Sequence, residues 1–122
     1  MKQSIGAAAW LLLLPAAAQA MSVEQFLTKA HALQAGGPAA AASPDLALVR
    51  DEIKSSAVAY RADIEADRAA GKPPRSCPPP RGQAKIDSKT LVASFETIPA
   101  ANRDMSVKTA FYAFMDKRYS CR

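Results

Sequence analysis

Three features of the 122-residue chain predict an all-α domain, a small bundle of about four helices closed by one disulfide. In four separate stretches apolar residues recur every three or four positions, the period of a helix with one buried face. No stretch alternates apolar and polar residues as a half-buried strand does, and no internal repeat is present. The only cysteines are Cys77 and Cys121, in a chain with 27 alanines and few large apolar residues. A small core of that kind gains a large share of its stability from a covalent tie. The length fits one domain and excludes a TIM barrel or a two-domain dinucleotide-binding enzyme. A net charge of +5, set against recurring apolar stripes, argues against disorder of the whole chain.

Residues 1–20 have the pattern of a cleaved signal peptide. Lys2 gives a positive start, Ile5 to Leu14 is an uncharged apolar run, Pro15 breaks it, and Ala18-Gln19-Ala20 is an A-x-A cleavage site. The run falls short of the about 20 residues that span a bilayer, so no stable membrane anchor is expected. The mature chain, 21–122, is then a single helical domain of 102 residues with formal charge +4, periplasmic or secreted. In an oxidising compartment two cysteines read as one disulfide, Cys77 to Cys121. Closing that loop is worth ~4 kcal/mol in the chain-entropy model. No C-x-x-C, haem-attachment or zinc-ligand spacing competes with this pairing.

The first helix opens on Ser22-Val23-Glu24-Gln25, a capping box, and carries the stripe Val23, Phe26, Leu27, Ala30 and Leu33. Gly36-Gly37-Pro38 stops it, and Ala39 to Ala42 connects it onward. The second begins at Ser43-Pro44-Asp45, a cap followed by proline at the first helical position and an acid matched to the helix dipole. Its stripe is Leu46, Val49, Ile53, Ala57, Tyr60 and Ile64, and it runs to about Ala70, where Gly71 caps it and Pro73-Pro74 forbid continuation. Lys72 to Lys85 holds five prolines around Cys77 and reads as extended and stiff. Asp87 caps the third helix, with Ile86 and Leu91 as a staple and Leu91, Phe95 and Ile98 as its stripe, Val92 standing beside them, before Pro99. Ser106 caps the fourth, in which Val107, Ala110, Phe111, Phe114 and Met115 face one way, and Tyr119-Ser120-Cys121 follows it.

Catalysis needs a nucleophile with its base, paired carboxylates in a cleft, or a metal. His31 is the only imidazole; with Met21, Met105 and Met115 it would be a sparse copper set, and a surface role is the expectation. Asp63 and Asp67 lie one turn apart but are interleaved with Arg61 and Arg68, as on a solvated, salt-bridged face. No glycine-rich phosphate loop accompanies Gly36-Gly37. The reading is therefore non-enzymatic, with no catalytic or metal-binding residues and no cofactor. The specific surface feature is basic: Arg68, Lys72, Arg75, Arg81 and Lys85 succeed one another with no acid between Asp67 and Asp87. Lys72, Arg75, Arg81 and Lys85 are the candidate partner-binding residues, on a stiff segment suited to an acidic protein surface. Nucleic acid is not expected, since no aromatics interleave the charges.

The order of Tyr60, Gly71, Cys77-Pro78, Ile98-Pro99-Ala100 and Tyr119-Ser120-Cys121 resembles the small exported immunity proteins of the resistance-associated-protein / type VI amidase immunity (Rap/Tai) family. The resemblance covers about Ala57 to Cys121. It departs from the family where Ser55, Ser56 and Ala57 stand in place of a further cysteine, where Asp63 replaces a glycine, and where Ser120 replaces a proline. What it implies is a helical, disulfide-closed protein that binds and silences a secreted peptidoglycan amidase by occlusion. The alternative reading is a small envelope, stress or chaperone-like helical protein with no dedicated effector.

Overall fold

The computed structural model describes residues 20–122, and the leader read over 1–20 lies outside the described residues except for Ala20. Four α-helices follow in order: α1 Val23–Ala35, α2 Pro44–Ala69, α3 Ser88–Glu96 and α4 Val107–Arg118. Short 3₁₀ turns occupy Gly37–Ala42 and Ala100–Asn102. Each helix starts where a side-chain oxygen replaces the missing intrahelical acceptor for an early backbone N–H. Ser22 accepts from Gln25 N–H at 3.1 Å while Gln25 Oε1 accepts from Ser22 N–H at 3.0 Å, a complete capping box. Ser43, Asp87 and Ser106 cap α2, α3 and α4 in turn. The Ala39 to Ala42 connection is ordered as a 3₁₀ turn behind Gly37, which has φ +55°.

α2 ends on a Schellman motif: Gly71 N–H donates to Arg68 C=O at 3.1 Å and Lys72 N–H to Asp67 C=O at 2.8 Å. Gly71 sits at φ +69°, a conformation that a Cβ would strain. The chain then reverses into the proline segment, which turns again at Pro80–Gln83, where Gln83 N–H donates to Pro80 C=O at 3.0 Å and Gly82 has φ +88°.

α2 lies against α1 and α4, and α3 rests on α1 and α4. The starts of α1 and α4 are stitched by backbone bonds, Val23 N–H to Met105 C=O and Val107 N–H to Met21 C=O, both 2.9 Å. The core is Val23, Phe26, Leu27 and Ala30 of α1, Tyr60 and Ile64 of α2, Leu91, Val92 and Phe95 of α3, and Val107, Ala110, Phe111, Tyr112 and Met115 of α4. Aromatic edges meet faces within it: Phe26 with Phe95 at 5.3 Å, Tyr60 with Tyr112 at 4.9 Å and with Phe111 at 6.2 Å. One detail of α4 departs from its stripe. Tyr112, absent from the expected face, is buried, whereas Phe114 is only partly covered. The physical reason is that Tyr112 is wedged between the Tyr60 ring and an Asp63 acceptor, so its polar end has a partner.

Cys77 and Cys121 form the disulfide, across a sequence separation of 44. Both cysteines are exposed, so the bond works on the unfolded chain and fills no part of the core. Replacing both with alanine is expected to cost ~4 kcal/mol in urea denaturation with little cavity contribution. A loss below about 1 kcal/mol would mean that the segment's hydrogen bonds alone hold it.

Candidate functional site

The proline segment is fixed at successive points, and the first is inside the protein. Tyr60 is fully buried on α2, and a phenol hydroxyl taken out of water needs partners. Two are supplied. Ser76, also fully buried, hydrogen-bonds the Tyr60 hydroxyl, and that hydroxyl donates to Asp116 Oδ1 on α4 at 2.7 Å. Arg75 completes the cluster, its Nε and guanidinium nitrogen reaching both Asp116 oxygens at 2.7 to 3.2 Å. The same guanidinium lies over the Tyr112 ring at 4.6 Å and the Tyr60 ring at 5.6 Å.

Two residues further along, Cys77 N–H donates to Tyr119 C=O at 2.7 Å, next to the disulfide. Arg61 on α2 then donates to Pro79 C=O at 3.1 Å, and Arg118 on α4 reaches Lys85 C=O at 3.4 Å. A stretch without helix or strand is thereby held to α2 and α4 along its length. Its prolines contribute by lowering the entropy of the free chain.

The electrostatics follow from this packing. Burial pushes the Tyr60 phenol up to about 12, and burial together with the Asp63 acceptor does the same to Tyr112. Hydrogen bonds from Arg75 hold the Asp116 carboxyl below the usual carboxylate range. The Asp116 carboxylate in turn raises the Arg75 guanidinium.

The four cations read from the sequence are therefore not equivalent. Arg75 lies at the surface edge of the Tyr60 cluster, still exposed but with its charge met by Asp116. Lys72, Arg81 and Lys85 are exposed. Arg81 joins Arg61 and Arg68 of α2, with Glu65, around a cleft of about 450 Å³ whose other wall is Pro78, Pro79 and Pro80. Lys72 and Lys85 line neither wall of that cleft. The convergence of Arg61 with Arg81 has no local signal in the sequence, because the reversals at Gly71 and Gly82 bring them together. The Tyr60 cluster had one: a hydroxyl on an otherwise apolar stripe demands a polar partner.

Elsewhere, His31 Nε2 pairs with Glu96 Oε1 at 2.9 Å on the surface, and no group of three His, Cys, Asp or Glu residues is assembled among the described residues. Asp63 is engaged by the Tyr112 hydroxyl at 2.8 Å, while Arg68 pairs with Glu65 at 3.5 Å. Among the described residues no helix is long and apolar enough to cross a membrane. Comparison with protein-family models, curated proteins and solved structures gives no match.

The titration of the cluster has a defined sign. Raised phenols stabilise the fold fully below pH about 10, the ordinary tyrosine value, and that contribution disappears as pH rises through about 12. In absorbance titration of phenolate, two of the three tyrosines should ionise only near pH 12, together with loss of near-ultraviolet circular dichroism. The depressed Asp116 carboxyl works at the other end. Its contribution is present above the ordinary carboxylate value and is lost as pH falls through its lowered one. Asp116→Asn should flatten the acid limb of a stability–pH curve; an unaltered limb would remove Asp116 from that role.

Proposed function

We propose that this chain is a non-enzymatic protein-binding domain of the periplasm or the secreted space, an immunity protein that inhibits a peptidoglycan amidase by occlusion. The observation that carries the reading is the cleft edged by Arg61, Arg68 and Arg81 and walled by Pro78 to Pro80. With Arg68 paired to Glu65 and Arg61 donating to Pro79 C=O, the cleft keeps a net positive charge, and Arg81 is engaged by neither kind of partner. This favours an acidic partner surface, and Arg supplies the planar fork that carboxylates accept. The wall is already ordered by the disulfide and by the bond from Arg61, so docking costs little additional ordering. Charge of this kind acts first on the association rate and on partner choice. The resemblance over Ala57 to Cys121 supplies the identity of the partner class, and a leader over 1–20 supplies the compartment. Both stand or fall by experiment.

The test is inhibition of peptidoglycan amide hydrolysis by secreted amidases, paired with calorimetric titration of whichever enzyme is inhibited. Arg68→Glu with Arg81→Glu, two exposed positions, should weaken the complex about tenfold or more, mainly by slower association and with a reduced salt dependence. Lys89→Glu on α3 should leave it unchanged. Full affinity in the double variant would move the docking face elsewhere. Failure to inhibit any such amidase would overturn the immunity reading and favour the envelope or chaperone-like alternative.

A further inference from the structure

The C-terminal end of α4 meets the approach to α3 in a cluster of cations. Arg118 donates to Lys85 C=O at 3.4 Å, and Lys85 and Lys89 stand two residues either side of Asp87, the cap of α3. Lys117 precedes Arg118 on the last turn of α4. All four are exposed. Among the described residues the ion pairs engage Lys29, His31, Arg68 and Arg75, so none of the four has a carboxylate partner. Asp116, next to Lys117 in the chain, is taken by Arg75. Asp87 accepts Thr90 N–H at 2.7 Å. The Thr90 bonds, helped by Lys89 and Arg118, hold the Asp87 carboxyl below the usual carboxylate range, so four cations face one carboxylate. Two aromatic rings lie under the charges. Phe114 and Tyr119 pack against the core but are only partly covered, and the Arg118 guanidinium is 5.8 Å from each ring.

Two properties select the partner. The first is shape. None of Lys85, Lys89, Phe114, Lys117, Arg118 and Tyr119 lines the arginine cleft, nor the apolar recess of about 590 Å³ beside Val49, Ile53 and Ala57 of α2. Protein partners take most of their binding energy from anchors seated in pockets, and this patch offers no pocket. The second is composition. Three of the four cations are lysines, which protein interfaces deplete and anionic membranes attract. A lysine is a point charge on a flexible stem, suited to phosphates that move in the plane of a bilayer. Tyrosine rings favour the depth of the headgroups.

We propose that this patch docks the protein, peripherally and reversibly, on a bilayer surface rich in anionic phospholipid. Lys85, Lys89, Lys117 and Arg118 meet the lipid phosphates, and Phe114 and Tyr119 lie at headgroup level. The patch uses none of the residues that line the arginine cleft, so this inference and the amidase reading fail separately.

The experiment is flotation of the disulfide-bonded chain 21–122, which holds the whole core, with vesicles. Vesicles of phosphatidylglycerol and phosphatidylcholine in equal parts should bind it about tenfold or more tighter than phosphatidylcholine alone. Binding should vanish near 1 M salt, where charges are screened within about 3 Å. Lys85→Glu with Lys89→Glu should weaken it about 25-fold or more, each cation near the surface contributing about fivefold. Lys72→Glu with Lys108→Glu makes the same change in net charge at the other end of α4, since Lys108 lies ten residues before Arg118, about 15 Å of helix. At about 0.1 M salt that exceeds the screening length of about 10 Å, so this pair should weaken binding less than about threefold. Tyr119→Trp gives the chain 21–122 its one tryptophan, whose emission should shift to the blue and be quenched by brominated phosphatidylglycerol. Helical circular dichroism checks the fold of each variant. The proposal is overturned if phosphatidylcholine alone binds equally well, if the two lysine pairs cost the same, or if the Tyr119→Trp emission is unmoved. It is equally overturned if no vesicle binds, and loss of amidase inhibition in the Lys85→Glu, Lys89→Glu variant would then assign the patch to an acidic protein.

Discussion

The buried hydroxyl of Tyr60 constrains more of this structure than any other single group. A phenol without water must be hydrogen-bonded, and its partners here come from two distant parts of the chain, Ser76 and Asp116. Satisfying it draws residue 76 onto α2 and the last turns of α4 onto the same spot. Arg75 then neutralises Asp116 and lies over the two tyrosine rings. With residues 75 and 76 placed, Cys77 has little freedom left, and its N–H finds Tyr119 C=O two residues before Cys121. The disulfide therefore closes a geometry that side-chain chemistry has already set up.

Covalent and non-covalent constraints divide the work by location. Inside, Tyr60, Tyr112 and Asp116 join α2 to α4 through directional bonds that fix how the two helices meet. Outside, an exposed disulfide limits the unfolded chain and secures the end of the proline segment. A bundle with four modest helices and an alanine-rich composition has little apolar area to spare for a long connector. Anchoring the connector at spaced points is a way to keep it ordered with few core residues.

The two recesses on α2 are consequences of the same economy. The helix is 26 residues long, and α1 and α4, the helices packed on it, leave part of its apolar face uncovered. Where α4 and the Tyr60 cluster lie, α2 is sealed. Toward its N-terminus the stripe stays partly open beside Arg50 and Lys54, and toward its C-terminus the prolines stand off it to leave a cleft among arginines. One recess is apolar and the other cationic because they border different stretches of α2 and different neighbours.

The helix caps Ser22, Ser43, Asp87 and Ser106, the stop at Gly71 and the pairing of the two cysteines were all legible in the sequence, because each depends on residues within a few positions or on a count of two. The apolar stripes likewise named nearly all of the core. They placed Phe114 on the buried face, where it is only partly covered, and missed Tyr112, whose burial depends on an aromatic and an acid of α2. Local pattern also presented Arg75 as one free cation among several, and only packing shows it bound to Asp116, 41 residues away. The same holds for the meeting of Arg61 with Arg81 and for the open half of the α2 stripe. Short-range chemistry sets where helices begin, end and turn an apolar face inward. Which charges remain free, and which apolar surface remains uncovered, depends on helix lengths and on partners far apart in the chain, so the tertiary structure alone decides them.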